Sequence, residues 1–361
     1  MTRIVMTAGQ VAPIRDPSDL HTVRNLAARA ADAAGLSGRE HAASELVAAE
    51  LATNLLRHAR GGHLLINIID PVPGTLQLAA VDDGPGINDI TACMADGFST
   101  AGSLGGGLGA CRRAATMFDL YSLPGQGTVA LAQIRRPADG GDEPVGGNGP
   151  SGHRGRQAQS IQVGGVLTPH PHQAVSGDGW CAMLPDDASA LTIAVADGLG
   201  HGPHAAHAAR RALDLIVQQP ETDLRQRLAA LDQPLRDTRG AAIALSRIEA
   251  HLSSDALVEF AGIGNIQAQM QSAAGNRSLA SRPGVVGAGP LRRSIPCPPM
   301  PWNRPGVLVV TTDGIGRYDL AHYPGVHRNH PAVLAALVWR DAHRGTDDAT
   351  VVVALPQKDT R

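Results

Sequence analysis

Apolar residues recur at helical spacing over residues 18–34, with Ser18 and Asp19 as polar cap candidates at the start and Gly35 as the stop. A second helix is predicted over residues 39–59, ending at Gly61-Gly62. Two alternating, strand-like runs follow at 63–69 and 75–81, separated by the Pro71-Val72-Pro73-Gly74 turn. After a glycine-rich stretch, residues 110–118 read as a helix and 127–134 as a closing strand. Between 137 and 155 the chain is Gly, Pro and Asp with almost no apolar periodicity, so it holds too little apolar surface to pack. Beyond it, strands are predicted at 161–167, 179–183, 191–196, 240–248, 256–262, 266–271, 306–311 and 349–355. Helices are predicted at 204–218, 223–236 and 331–343, and 283–305 is loop-rich. The pattern therefore divides the chain into a first unit at 1–136, a linker at 137–159 and a second unit at 160–356.

Length agrees with that division, because 361 residues exceed one ordinary core and suit two. Hydrophobic residues at 43% and charged residues at 18% fit a globular chain, while 42 Gly and 25 Pro call for many turns. Aromatics contribute only 2%, so the cores are expected to be built from Ala, Val, Leu and Ile. A formal net charge of -2 without a basic run gives no footprint for nucleic acid. Cys93, Cys111, Cys181 and Cys297 are scattered with no C-x-x-C pair, which reads as idle thiols in a reducing compartment. No apolar stretch approaches a membrane span and no signal segment opens the chain, so a cytoplasmic protein without membrane contact is expected.

Chemistry enters the first unit at Glu50 and Asn54, four residues apart and therefore on one helix face. An amide oxygen at Asn54 suits a hard cation, and Glu50 one turn earlier is placed to accept a proton from an attacking hydroxyl. Asp82-Asp83-Gly84-Pro85-Gly86 follows an apolar strand; Asp82 can accept from an adenine amino group, with Gly84 and Gly86 admitting close backbone approach. The run from Gly102 to Gly109 opens a helix, and amides at such a start suit phosphates. A dinucleotide fold would need a strand before that run, and Phe98-Ser99-Thr100 stands there instead. Gly125-Gln126-Gly127-Thr128 is a tight turn whose hydroxyl can touch a phosphate. Taken singly, each is more often a polar helix face or a plain turn.

In this order the four elements resemble the GHKL family of ATP-binding folds. The strings AAELATNLLRHA, VDDGPGI, DGFSTAGSLGGGLGACRR and GQGT resemble its RsbT branch of anti-sigma-factor serine/threonine kinases, over most of residues 1–135. The resemblance implies a Bergerat α/β sandwich binding ATP and Mg²⁺. It places Asn54 on the cation, Glu50 as general base and Asp82 with Gly84 and Gly86 at adenine. Gly105, Gly107, Gly109 and Thr128 would lie around the phosphates.

In the second unit, Asp178 begins a strand, Asp197 and Asp313 each end one, and Asp347-Asp348 precede the last. Four carboxylates at strand ends beside glycines meet the needs of a two-metal oxygen-ligand site. The string DGLGHG, the turn Gly262-Ile263-Gly264-Asn265 and DDATVVV resemble the PPM family of metal-dependent serine/threonine phosphatases, in its SpoIIE and RsbX branch. This implies an α/β/β/α sandwich with two Mn²⁺ or Mg²⁺ ions held by Asp178, Asp197, the Gly198 carbonyl, Asp313 and Asp347. His201, His204 and His207 are spaced so that they drift around a helix, which disfavours zinc, and Arg292-Arg293 is a candidate phosphate grip or a solvated pair.

Together the resemblances imply a two-domain α/β chain that phosphorylates and dephosphorylates STAS-domain regulators in a bacterial partner-switching pathway. A sigma-regulatory phosphatase or a sigma factor is a further expected partner. The alternative is a non-catalytic ATP-binding module that sequesters or activates a partner, fused to an active phosphatase. A phosphatase of small phosphorylated metabolites is a third reading.

Overall fold

Thirteen residues at the N-terminus, β1 (Thr2–Ile14), decide how the chain is assembled, because they pair along both edges. The structure is a computed structural model that describes residues 2–70, 74–94, 107–136, 161–185, 190–219, 223–249, 256–272, 275–289, 298–302 and 306–356. In the first unit β1 is followed by α1 (Asp19–Ala33), α2 (Gly38–Asn54), β2 (Gly62–Asp70), β3 (Thr75–Asp82), α3 (Ile90–Met94), α4 (Gly107–Ala114), β4 (Met117–Ser122) and β5 (Thr128–Arg135). The second unit opens with β6 (Ile161–Thr168), β7 (Asp178–Leu184), β8 (Ala190–Gly198), α5 (Pro203–Gln218), α6 (Leu224–Leu231), β9 (Ala241–Glu249) and β10 (Ala256–Ile263). It closes with β11 (Gln267–Ser272), β12 (Gly275–Ala280), β13 (Met300–Trp302), β14 (Val307–Thr311), α7 (Pro331–Ala342) and β15 (Ala349–Pro356).

Ten strands form one sheet in the order β13-β10-β9-β8-β7-β1-β2-β3-β5-β4, and five form another, β12-β11-β14-β15-β6. Residues 8–14 of β1 run antiparallel to β2, with Ala8 opposite Ile68 and Ile14 opposite Gly62. Residues 2–6 run antiparallel to β7, with Thr2 opposite Leu184 and Met6 opposite Trp180. The large sheet is thus continuous across both units.

Alternation along the strands sorts side chains to two faces. In the first unit Ile14, Leu64, Ile66, Leu76, Leu78 and Ala132 meet Val23, Ala27, Val47 and Leu51 of α1 and α2. Their neighbours Leu65, Ala79, Val81, Val129 and Leu131 face the other way and pack with α7 and with Val351 and Val353 of β15. In the second unit Cys181, Ala194 and Ile243 meet α5 and α6, while Trp180, Ile193 and Val195 meet Leu308, Val310 and Val352 of the small sheet. The expected α/β/β/α layering is therefore present, and its outer helix, α7, is covered by the first unit. Ten of the twelve α7 residues are buried, which suits a helix that is apolar on every side.

Buried and half-buried polar groups fasten the same contact. Asn67 Nδ2 donates to the Leu167 carbonyl at 2.6 Å, and Gln77 Nε2 to that of Gly165 at 2.9 Å. Asp119 accepts from Asn329 Nδ2 at 2.8 Å and from the His330 N–H at 2.6 Å, and the Tyr121 hydroxyl donates to the Pro324 carbonyl at 3.1 Å. Each places a polar atom at the contact with a partner in hand, which offsets the cost of leaving water, although Asn67 Oδ1 stays buried without one.

Three local expectations change. The helix read over 110–118 stops at Ala114, and Met117 and Phe118 open β4, where pairing with β5 outweighs helical propensity. The helix read to residue 59 passes into a single π-helical turn, Leu55–Ala59, which ends at Arg60 in the left-handed region (φ 63°). All three tryptophans, Trp180, Trp302 and Trp339, are buried, so the scarce aromatics do serve the cores. The 137–159 linker lies outside the described residues, except that Arg136, just before it, donates to the Gly35 carbonyl at 2.8 Å. Among the described residues no helix is long and apolar enough to cross a membrane.

Candidate functional sites

The first site lies where α2 meets the ends of β3 and β5. Glu50 is half-buried on α2, close enough to α4 that its charge, after burial, helps push the Cys111 thiol up to about 12. Asn54 ends α2, and its Nδ2 is buried without a hydrogen-bond partner. Such an orphan carries a desolvation cost that a bound polar ligand would relieve.

Asp82 stands opposite Thr128 in the β3–β5 register. Its carboxylate accepts from the Gly84 N–H at 2.8 Å. Burial raises its pKa, while hydrogen bonds from the Gly84 and Thr128 backbone oppose the rise. Thr128 Oγ1 shares a 2.9 Å hydrogen bond with Ser122 Oγ, which donates to the Gly127 carbonyl at 2.9 Å. The Asp82–Gly86 loop and the 123–127 turn lock together through Gly125 N–H to the Pro85 carbonyl (2.7 Å) and Gly127 N–H to that of Gly84 (3.0 Å). That locking explains two glycines: a Cβ on Gly86 would meet the Leu123 carbonyl and one on Gly127 the Asp82 carbonyl, and both have positive φ. Gly107, at φ 38° with open space around its missing Cβ, and the buried Gly109 begin α4; Gly105 lies outside the described residues.

The second site is built by like charges. Asp178 and Asp197 face each other directly in the β7–β8 register. Asp178 is 2% exposed; one oxygen accepts from Thr312 Oγ1 at 2.7 Å and the other has no partner. Burial, then the charge of Asp197, raises its pKa well above the usual carboxylate range. Burial, then Asp313 and Asp347, push Asp197 up to about 7. Asn265 Nδ2 donates to Asp313 at 2.6 Å, which gives the GIGN turn a role in holding that carboxylate. Gly198 lies against α5, where a Cβ would meet the Ala205 carbonyl.

Sequence reasoning passed over Asp348 in favour of its neighbour Asp347. In the structure Asp348 is 2% exposed, accepts from the His170 N–H at 2.7 Å and keeps one oxygen unpartnered. Its pKa is raised by burial first. Alternation gave no signal to choose between the two, since β15 is buried on both faces from Ala349 to Leu355. Among the described residues no three His, Cys, Asp or Glu side chains close around a single point. The orphaned oxygens of Asp178 and Asp348 fit hard divalent cations. His201 stacks on His170 at 4.6 Å, while His204 and His207 lie exposed on α5, so the three do not converge. Arg292-Arg293 and Cys297 lie outside the described residues.

No protein-family model matches the chain. RsbX in complex with magnesium is similar in structure, with 19% identity over 55% of this chain and 96% of that one at a TM-score of 0.46. The phosphatase domain with a regulatory fragment of SpoIIE from Bacillus subtilis is also similar, with 17% identity over 79% of this chain, 80% of that one and a TM-score of 0.46. The serine/threonine-protein kinase RsbT of Bacillus subtilis is 37% identical over 115 residues, 32% of this chain and 86% of that protein. The match lies in the N-terminal part, where Glu50, Asn54 and Asp82 stand. Through that part, the chain belongs to the RsbT family of serine/threonine-protein kinases.

Proposed function

We propose that this chain is a bifunctional regulator of a bacterial partner-switching pathway. Its first site phosphorylates STAS-domain proteins on Ser or Thr with ATP and Mg²⁺, and its second removes the same phosphates. The observation that carries the reading is that Asp178 and Asp197 face each other across adjacent strands of the same sheet that holds a site of the RsbT kinase family. In the first site, Glu50 accepts the hydroxyl proton of the target residue, and Asn54 offers its amide to the cation. Asp82 holds adenine, and Gly105, Gly107, Gly109 and Thr128 surround the phosphates.

In the second site, Asp178, Asp197, Asp313 and Asp347, with the Gly198 carbonyl, hold two Mn²⁺ or Mg²⁺ ions. When bound there, such ions supply positive charge and a hydrolytic nucleophile at neutral pH. Thr312 and Asn265 fix the orientation of Asp178 and Asp313 by donating to them. A sigma-regulatory phosphatase or sigma factor is a further partner of the same pathway, and the place of action is the cytoplasm.

The test is incubation of the full chain with labelled ATP and candidate STAS-domain proteins, with and without Mn²⁺. Label should enter the target, leave it on addition of Mn²⁺, and fail to enter with Glu50→Gln, by about a hundredfold or more in rate. ATP binding without any transfer by the wild type would reject the kinase and leave a nucleotide-binding module.

A further inference from the structure

We propose that Arg340, on α7 of the second unit, is a positioning residue of the first unit's nucleotide site, so that this site is completed by the other half of the chain. The inference rests on the nucleotide reading given above. Arg340 Nη1 donates to the Asp82 carbonyl at 3.1 Å and to the Gln126 carbonyl at 2.8 Å. Its Nε lies 3.3 Å from Asp83 Oδ1 and 2.6 Å from Asp341 Oδ1. The other Asp341 oxygen accepts from the Tyr323 hydroxyl at 2.6 Å, which fixes the carboxylate that in turn aims the guanidinium. Only 9% of the Arg340 side chain is exposed.

These contacts fall on two of the segments that make the nucleotide site, the Asp82–Gly86 loop and the 123–127 turn. Asp82 is held at its carbonyl by Arg340 while its carboxylate is turned by the Gly84 N–H. Gln126 lies between Gly125 and Gly127, whose N–H groups bind Pro85 and Gly84 across the gap. One guanidinium therefore bridges the adenine loop and the phosphate turn from behind, where each exposes a carbonyl. A planar cation with several fixed donors suits this task, whereas an ammonium offers a point charge on a mobile stem. Preorganising loops before a ligand arrives lowers the ordering cost of binding, so the expected effect is on nucleotide affinity.

The remaining contacts between the units provide a control. Asn329 also crosses the contact, donating to Asp119 Oδ1 at 2.8 Å and the Leu120 carbonyl at 3.0 Å, and it touches neither loop. In the full-length protein, calorimetric titration with ATP and Mg²⁺ should show Arg340→Ala weakening affinity about tenfold, and Arg340→Lys recovering part of the loss. Asn329→Ala should stay within about twofold of the wild type. Amide exchange at Gly84, Gly125 and Gly127 should quicken in Arg340→Ala without nucleotide. Equal affinity in wild type and Arg340→Ala overturns the proposal while leaving the nucleotide site standing. Equal weakening by Asn329→Ala also overturns it, since Arg340 would then act only as part of the contact between units. A wild type that binds no ATP rejects the nucleotide site itself, and the proposal with it.

Discussion

The two candidate sites share a sheet and are made of opposite materials. Around Asp82 and Thr128 the first is mostly backbone: glycines locked across a gap, carbonyls tied down from behind and one amide, that of Asn54, left unsatisfied. Around Asp178 and Asp197 the second is charge, with carboxylates raised in pKa by burial and by one another. A backbone site can be complete before its ligand arrives, because N–H and C=O groups find partners within the chain. A carboxylate cluster cannot, because every member raises the cost of ionising the next. Fold stability and ligand binding are therefore opposed at the first site only through Asn54, and at the second through every carboxylate.

The sharpest way to break that contrast is Asp197→Asn. Removing one charge should lower phosphate release from a phosphoserine protein by about a thousandfold, while the melting temperature in chelator holds or rises. Turnover within tenfold of the wild type would return these aspartates to the status of turn residues.

A pH series sharpens it further. Asp197 keeps its proton to about pH 7 in the folded chain but releases it near pH 4 when unfolded. Within that window the folded state binds more protons, so stability of the chelated protein falls as pH rises and levels off above it. Relative to Asp197→Asn, the loss should be at most on the order of 4 kcal/mol by denaturant titration, and Mg²⁺ should abolish it. A flat difference between the two proteins would show that burial does not hold the proton there.

The smallest effect is expected from cutting the chain. Limited proteolysis should cleave first within the Gly- and Pro-rich 137–159 stretch. The two pieces should nevertheless migrate together in gel filtration, with both activities changed less than about twofold, because sheet and core cross between them. Separation without denaturant would show that the shared strand contributes little.

Much of this was legible in the sequence. Period-two runs located most strands, and the carboxylates at strand ends were visible because four of them recur in one pattern beside apolar runs, although each alone reads as a turn residue. What escaped were features set by partners far along the chain. β1 lacked a readable pattern because it is flanked by strands of both units and its exposure changes along its length. Extending the helix into the first two residues of β4 failed because Met117 and Phe118 take their conformation from β5. The union of the units was written in α7: PAVLAALVWRDA has almost no polar face, and a helix buried between two layers needs none. Arg340, its lone basic residue, was the clue to what lies beyond it.

β1 also sets an order of events during synthesis. Residues 2–6 are made long before their partner, β7, which begins at Asp178. Until that strand is made, the opening of the chain is an unpaired edge with Ile4 and Met6 on display, able to pair with whatever strand is near. Folding of the first unit thus leaves a waiting seam that only the second unit closes. A nascent chain stalled between the two should be the form most prone to aggregate, ahead of either the unfolded or the finished protein.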